Sequence, residues 1–166
     1  MNSFPVVLGL VGVQRAAELV LAAVNTRRLR GLGGREIDAA GYKWIVLLHA
    51  GWLAAMAATI PIDAPASWPL LGIYAGLQAA RLWVIASLGR RWTTRVIVLP
   101  GTPLVRSGPY RYLRHPNYAV VAAEIAVLPL AFGAVAVAIL CSLGNLGLTL
   151  RRIRIEDTAL APATTG

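Results

Sequence analysis

At 166 residues the chain has room for one domain. It is 57% apolar and 14% charged, with a mean hydropathy of +0.64, where soluble domains average about 45–50% apolar and about 25% charged; this excludes an ordinary soluble globule and indicates an integral membrane protein. The net charge of +9 comes with no nucleic-acid fold signature and fits the polar loops of a membrane chain, so membrane lipids and not nucleic acid are the expected surroundings.

Met1–Pro5 carries no basic leader region, so no signal peptide is expected. The first apolar segment, Phe4–Val24, is long enough to span a bilayer. It holds Arg15 and Glu18, three apart and therefore on one helix face, where they pair. Such a pair either docks the helix on its neighbours or lines a pocket. Asn25–Gly41 reads as a basic loop in which Gly31, Gly33 and Gly34 stop the helix. The second span, Tyr42–Ile60, opens on interface residues Tyr42, Lys43 and Trp44 and contains His49, expected as a hydrogen-bonded core residue. With one isolated His per segment and Cys141 as the sole cysteine, no metal site is expected.

After a turn at Pro61–Pro65, the third span, Trp68–Leu88, carries Gln78 and Arg81. Arg95–Leu99 is β-prone and Pro100-Gly101 is a turn signal, so a short hairpin or extended lid is expected at the membrane surface. Arg106–Tyr118 (R-S-G-P-Y-R-Y-L-R-H-P-N-Y) concentrates directional side chains between apolar segments, and Pro116 is placed to start a helix. Two further apolar segments, Asn117–Pro129 and Leu130–Leu150, turn at Pro129–Gly133 and look too short for two full crossings, which predicts a truncated helical hairpin. Glu124 within it should face a cavity, Arg15 or Arg81. Arg151–Leu160 reads as a helical extension into the aqueous side, and Ala161–Gly166 as a frayed end.

Lys and Arg occupy alternate loops: Arg27 to Lys43, then Arg90 to Arg114, then Arg151 to Arg154. That alternation predicts an all-α polytopic protein with about five transmembrane helices and these loops facing the cytosol. A hairpin returns the chain to the side it left. Tyr110, His115 and Tyr118 before it should therefore meet Arg152, Glu156 and Asp157 after it. The aromatics suit stacking on a base or facing a cation, and the carboxylates suit an ammonium or ribose hydroxyls. A Tyr/Arg-rich interfacial loop also serves as a plain membrane anchor, so a non-enzymatic membrane protein stays open on these grounds.

G-P-Y-R-Y-L-R-H-P-N-Y, followed after the apolar hairpin by R-I-R-I-E-D-T-A-L, resembles the isoprenylcysteine carboxyl methyltransferase superfamily, with its G-x-Y…R-H-P-x-Y block and R-x-x-x-E-E-x-x-L helix. The likeness covers roughly Arg90–Leu160, with Asp157 where relatives usually carry a second Glu. It implies a single membrane methyltransferase domain over residues 1–166, with N-terminal spans at 1–89 and a cofactor-binding region at 90–160. It implies S-adenosyl-L-methionine as cofactor, held by Thr102, Pro103, Leu104, Val105, Tyr110, His115, Pro116, Asn117, Tyr118, Glu156 and Asp157. Arg95 falls where relatives place a polar cofactor contact, and Arg152 and Glu156 are the implied catalytic residues, Arg152 meeting the acceptor. The implied acceptor is lipidic: a prenylcysteine carboxylate, or, by the V-L-P-G-x-x-x-V…G-P-Y pattern of small members, an alkylpyrone enol. A membrane NADPH-dependent reductase of related architecture is the enzymatic alternative.

Overall fold

The computed structural model describes residues 3–160, so the expected fraying of Ala161–Gly166 lies outside the described residues. Five helices carry the chain: α1 (Ser3–Gly31), α2 (Ala39–Thr59), α3 (Trp68–Leu88), α4 (Pro116–Leu130) and α5 (Val135–Leu160). Helices α1, α3 and α5 are long and apolar enough to cross a membrane. Helix α2 matches α3 at 21 residues, but Tyr42, Lys43 and His49 interrupt its apolar run. Large apolar side chains such as Leu10, Val13, Leu82 and Leu140 are exposed on the outer surface, where lipid rather than water is the fitting solvent.

The interior is sorted along the bundle axis. At one end Phe4 packs edge-on against Phe132 at 5.1 Å, and Ser67 N–H donates to Ala131 O at 2.8 Å, tying α3 to the α4–α5 turn. Trp52, Met56, Ile125 and Leu128 fill the core behind them. Pro129 lies inside α4 and has no N–H to give the Ile125 carbonyl. The Trp52 indole takes that role, donating to Ile125 O at 3.1 Å. Trp52→Phe is therefore expected to cost about 1–3 kcal/mol, the penalty of a buried unpaired carbonyl, measured as a fall in thermal unfolding temperature in detergent.

At mid-depth the sequence pairs form one charge-balanced cluster. Arg15 bonds Glu18 at 3.0 Å and Glu124 at 2.7 Å. Arg81 Nε bonds Glu18 at 2.6 Å, and Arg81 Nη1 bonds Glu124 at 3.0 Å. Gln78 bridges Gln14 at 2.7 Å and Glu124 at 3.0 Å. Glu124 thus faces both Arg15 and Arg81, and the pairing of Arg15 with Glu18 is as expected. In a low-dielectric interior the two carboxylates and two guanidiniums neutralise one another and fasten α1, α3 and α4 together.

The opposite end departs from the expected pattern. Helix α1 continues through the basic stretch to Gly31 rather than ending near Val24. Arg35–Ile37 (β1) and Val96–Val98 (β2) then pair antiparallel, with Glu36 opposite Ile97. The β-prone stretch therefore forms a strand but no local hairpin, because its partner is the loop after α1. The truncated hairpin is corrected as well: α4 alone is short, at 15 residues, whereas α5 runs 26 residues without a break into the polar segment.

Candidate active site

The strand pair gathers the polar end of the bundle. Buried Asn25 donates to Trp92 O at 2.7 Å, Thr26 bonds Thr93 at 2.7 Å and Tyr42 bonds Thr94 at 3.0 Å. Arg95 stacks over the Tyr42 ring at 4.1 Å, and Arg95 and Arg30 both pair with Glu36. Desolvation opposes the charge on Glu36, and the bonds from Arg95 and Arg30 outweigh it, holding its carboxyl below the ordinary range. Asp38, in a left-handed conformation, caps α2 through Gly41 N–H and takes a two-pronged bond from Arg151 at 2.7 and 2.8 Å. This lashes α5 to the start of α2.

Gly108 opens the 3-10 turn Gly108–Arg111 with φ +58°, a conformation that side-chain-bearing residues rarely adopt. A Cβ there would also strike Ser87 on α3. The G-P-Y motif thus lets the loop lie against α3 and sets Tyr110 in its place. Burial, reinforced by the charge of Glu156, pushes the Tyr110 phenol well above its ordinary pKa, so it stays protonated and able to donate. Pro116 is buried in the first turn of α4.

The two segments that flank the α4–α5 hairpin touch. His115 Nε2 and Asp157 Oδ1 lie 3.1 Å apart, and the Tyr118 hydroxyl donates to Glu156 Oε2 at 2.6 Å. The His115 and Tyr118 rings stack with centroids 5.5 Å apart. Arg114 reaches Asp157 from outside at 3.1 Å.

Two adjoining cavities lie beneath this closure. The outer one, about 610 Å3, is lined by Thr102, Pro103, Leu104, Val105, Tyr110, His115 and Glu156, seven of the residues expected to hold cofactor, together with Arg95. Its size falls within the roughly 300–1,000 Å3 of small-molecule sites. Arg91 secures its rim, donating to Pro103 O at 2.8 Å. The inner one, about 150 Å3, is lined by Asn117, Tyr118, Arg152 and Glu156, and shares Tyr110, His115 and Arg95 with the outer. Pro116 and Asp157 line neither cavity; Pro116 sets the start of α4, and Asp157 holds His115 from behind.

Arg152 is 9% exposed. One guanidinium nitrogen donates to Thr94 O at 2.5 Å, and the group lies 5.8 Å from the Tyr118 ring centroid. Among the described residues no carboxylate forms an ion pair with it, and its Nε is buried without a partner. Asn117 Oδ1 and Trp92 Nε1, on the same inner cavity, are also buried and unpartnered. A buried cation and a loose donor favour an anionic group, and a loose acceptor favours a hydroxyl or amine.

Sequence reasoning missed several lining residues: Trp92, Thr93, Thr94, His49 and Asn145. Asn145 carried a usable signal, being a polar residue within an apolar span. The residues 92–94 carried none, since they reach the site through the strand pair. His49 bonds Ile45 O at 2.8 Å as expected of a core histidine, yet also borders the inner cavity.

A family model described as isoprenylcysteine carboxyl methyltransferase matches residues 70–162, from the first turns of α3 to the end of α5. Uncharacterized protein YpbQ of Bacillus subtilis (strain 168) is 38% identical over 162 residues, covering 95% of this chain and 96% of its own. No solved structure matches. The family match spans more than half of the chain, and its helices build a membrane bundle: the chain belongs to the isoprenylcysteine carboxyl methyltransferase family and is a membrane methyltransferase.

Proposed function

We propose that this protein is an S-adenosyl-L-methionine-dependent O-methyltransferase acting on a carboxylate or enol oxygen of a lipidic acceptor at the cytosolic face of the membrane. The observation that carries the reading is Arg152: a buried guanidinium with a loose Nε and no ion-pair partner among the described residues, at the inner wall of a two-part cavity. A prenylcysteine carboxylate or an alkylpyrone enolate would complete that charge in the fork geometry that guanidiniums favour. Either acceptor brings an apolar tail suited to the surrounding lipid.

The cofactor fits the remaining lining. Thr102–Val105 and Tyr110 wall the outer cavity, Asn117 Oδ1 is free to accept a hydroxyl or amine, and Glu156 retains acceptor capacity beyond its bond from Tyr118. When bound, the cofactor supplies an electrophilic methyl group on a sulfonium. The chain's work is then alignment and exclusion of water rather than proton transfer. A carboxylate acceptor is already ionised at neutral pH and needs no general base. Glu156 joins the two halves of the site, since it lines both cavities and is held by Tyr118. His115, steadied by Asp157 and stacked on Tyr118, forms the shared wall.

Methyl-labelled cofactor, offered with a panel of prenylcysteines and alkylpyrones to the purified protein and followed by mass spectrometry, tests this reading. One acceptor class should gain a single labelled methyl on oxygen. Folded protein that labels neither class, or that consumes NADPH with the same panel, would contradict it.

A further inference from the structure

A third cavity, about 210 Å3, lies between α1 and α2; it shares Arg95 with the two cavities of the site but is not lined by His115. Arg27, Arg30 and Arg95 line it, with Tyr42 between them and Leu19 and Ala22 at its apolar base. Glu36, paired with Arg30 and Arg95, is the one carboxylate bonded to these guanidiniums among the described residues, so the pocket keeps a surplus of positive charge. Arg27 forms no ion pair among the described residues and is exposed. Here the apolar run of α1 gives way to Asn25–Arg30, and the first turns of α2 carry Tyr42, Lys43 and Trp44, an interfacial set. Below the pocket, Leu19 and Val20 are exposed on the outer face of α1.

We propose that this pocket holds the headgroup phosphate of an anionic phospholipid, with the acyl chains lying along the Leu19–Val20 flank of α1. Cationic pockets between transmembrane helices at an interface are suited to such headgroups. Arg95 is positioned for the contact by Glu36 and by its stacking on Tyr42, whereas Arg27 and Arg30 reach in from α1. The inference depends on the membrane placement of the helices and not on methyl transfer.

The test uses the full chain in neutral detergent, with native mass spectrometry reading retention of phosphatidylglycerol, phosphatidylcholine or inorganic phosphate. Phosphatidylglycerol should be retained in preference to the other two. Each guanidinium near an anionic headgroup is worth about fivefold, so Arg27→Gln with Arg30→Gln should weaken retention about thirtyfold. Arg90→Gln with Arg154→Gln, which removes the same charge from exposed positions outside the pocket, should leave retention within about threefold. Should the pocket double variant fail to fold, Arg27→Gln alone removes an exposed side chain and should still weaken retention about fivefold. Unchanged retention in the pocket variants, equal retention of phosphatidylcholine, or inorganic phosphate binding as tightly as the lipid would each overturn the assignment.

Discussion

Arg81→Ala is expected to destabilise the bundle by about 3–5 kcal/mol, the cost of breaking a buried ion cluster and leaving a carboxylate uncompensated. Arg81, like Arg15, bonds both Glu18 and Glu124, and Arg81 and the two carboxylates are buried. Once it is gone, Arg15 faces two carboxylates. The double change Arg81→Met with Glu124→Leu leaves Arg15 and Glu18 as a neutral pair at 3.0 Å. It should therefore be less destabilised than Arg81→Ala alone. Thermal unfolding of the detergent-purified proteins checks the ordering. A double variant as damaged as the sum of its single changes would mean that charge balance is not what holds α1, α3 and α4 together.

Arg152→Ala should remove turnover by at least about a hundredfold while leaving cofactor affinity within a few-fold, because its expected work is to hold and aim the acceptor anion. Its contacts favour that separation. The guanidinium anchors to Thr94 O and lines the inner cavity, but not the outer one. Arg152→Lys keeps the charge but loses the fork, so it should recover only part of the rate. Equilibrium binding of S-adenosylhomocysteine, measured beside steady-state turnover, distinguishes the two roles. Equal loss of both would place Arg152 in the cofactor site.

Much of this architecture was legible in the letters. The third span falls on α3 at Trp68–Leu88 as expected, because Pro65, Ser67 and Gly89 punctuate an uninterrupted apolar run. The Arg15–Glu18 pair and the placing of Glu124 against Arg15 or Arg81 were readable from spacing and burial, whereas Arg81, free by sequence to snorkel or line a cavity, is instead bonded to Glu18 across the bundle. The meeting of His115 and Tyr118 with Glu156 and Asp157 followed from the return of a helical hairpin to its starting side.

What was hidden depended on distance or on helix continuity. Strands β1 and β2 are three residues each and about sixty residues apart, too short for a periodic signal and joined only in the tertiary fold. Their pairing carries Trp92–Thr94 into the site, which is why those three residues carry no signal in the sequence. Helix α5 runs on through Arg151 and Arg152 to Leu160, as the helical extension read from the sequence requires, but it starts at Val135 rather than directly after Pro129. The basic stretch after Val24 reads as a loop from its charges and glycines, yet α1 stays helical through it until Gly31.

The central physical claim is that the aromatic-histidine segment and the acidic end of α5 close together over one methyl donor. The most direct measurement is the melting temperature of the purified protein in detergent with and without S-adenosylhomocysteine, for the native chain and for Glu156→Ala. The native chain should melt several degrees higher at millimolar ligand, as a ligand bound only to the folded state requires, and Glu156→Ala should show no rise. An unmoved native chain, or a Glu156→Ala protein stabilised as much as the native one, would contradict it.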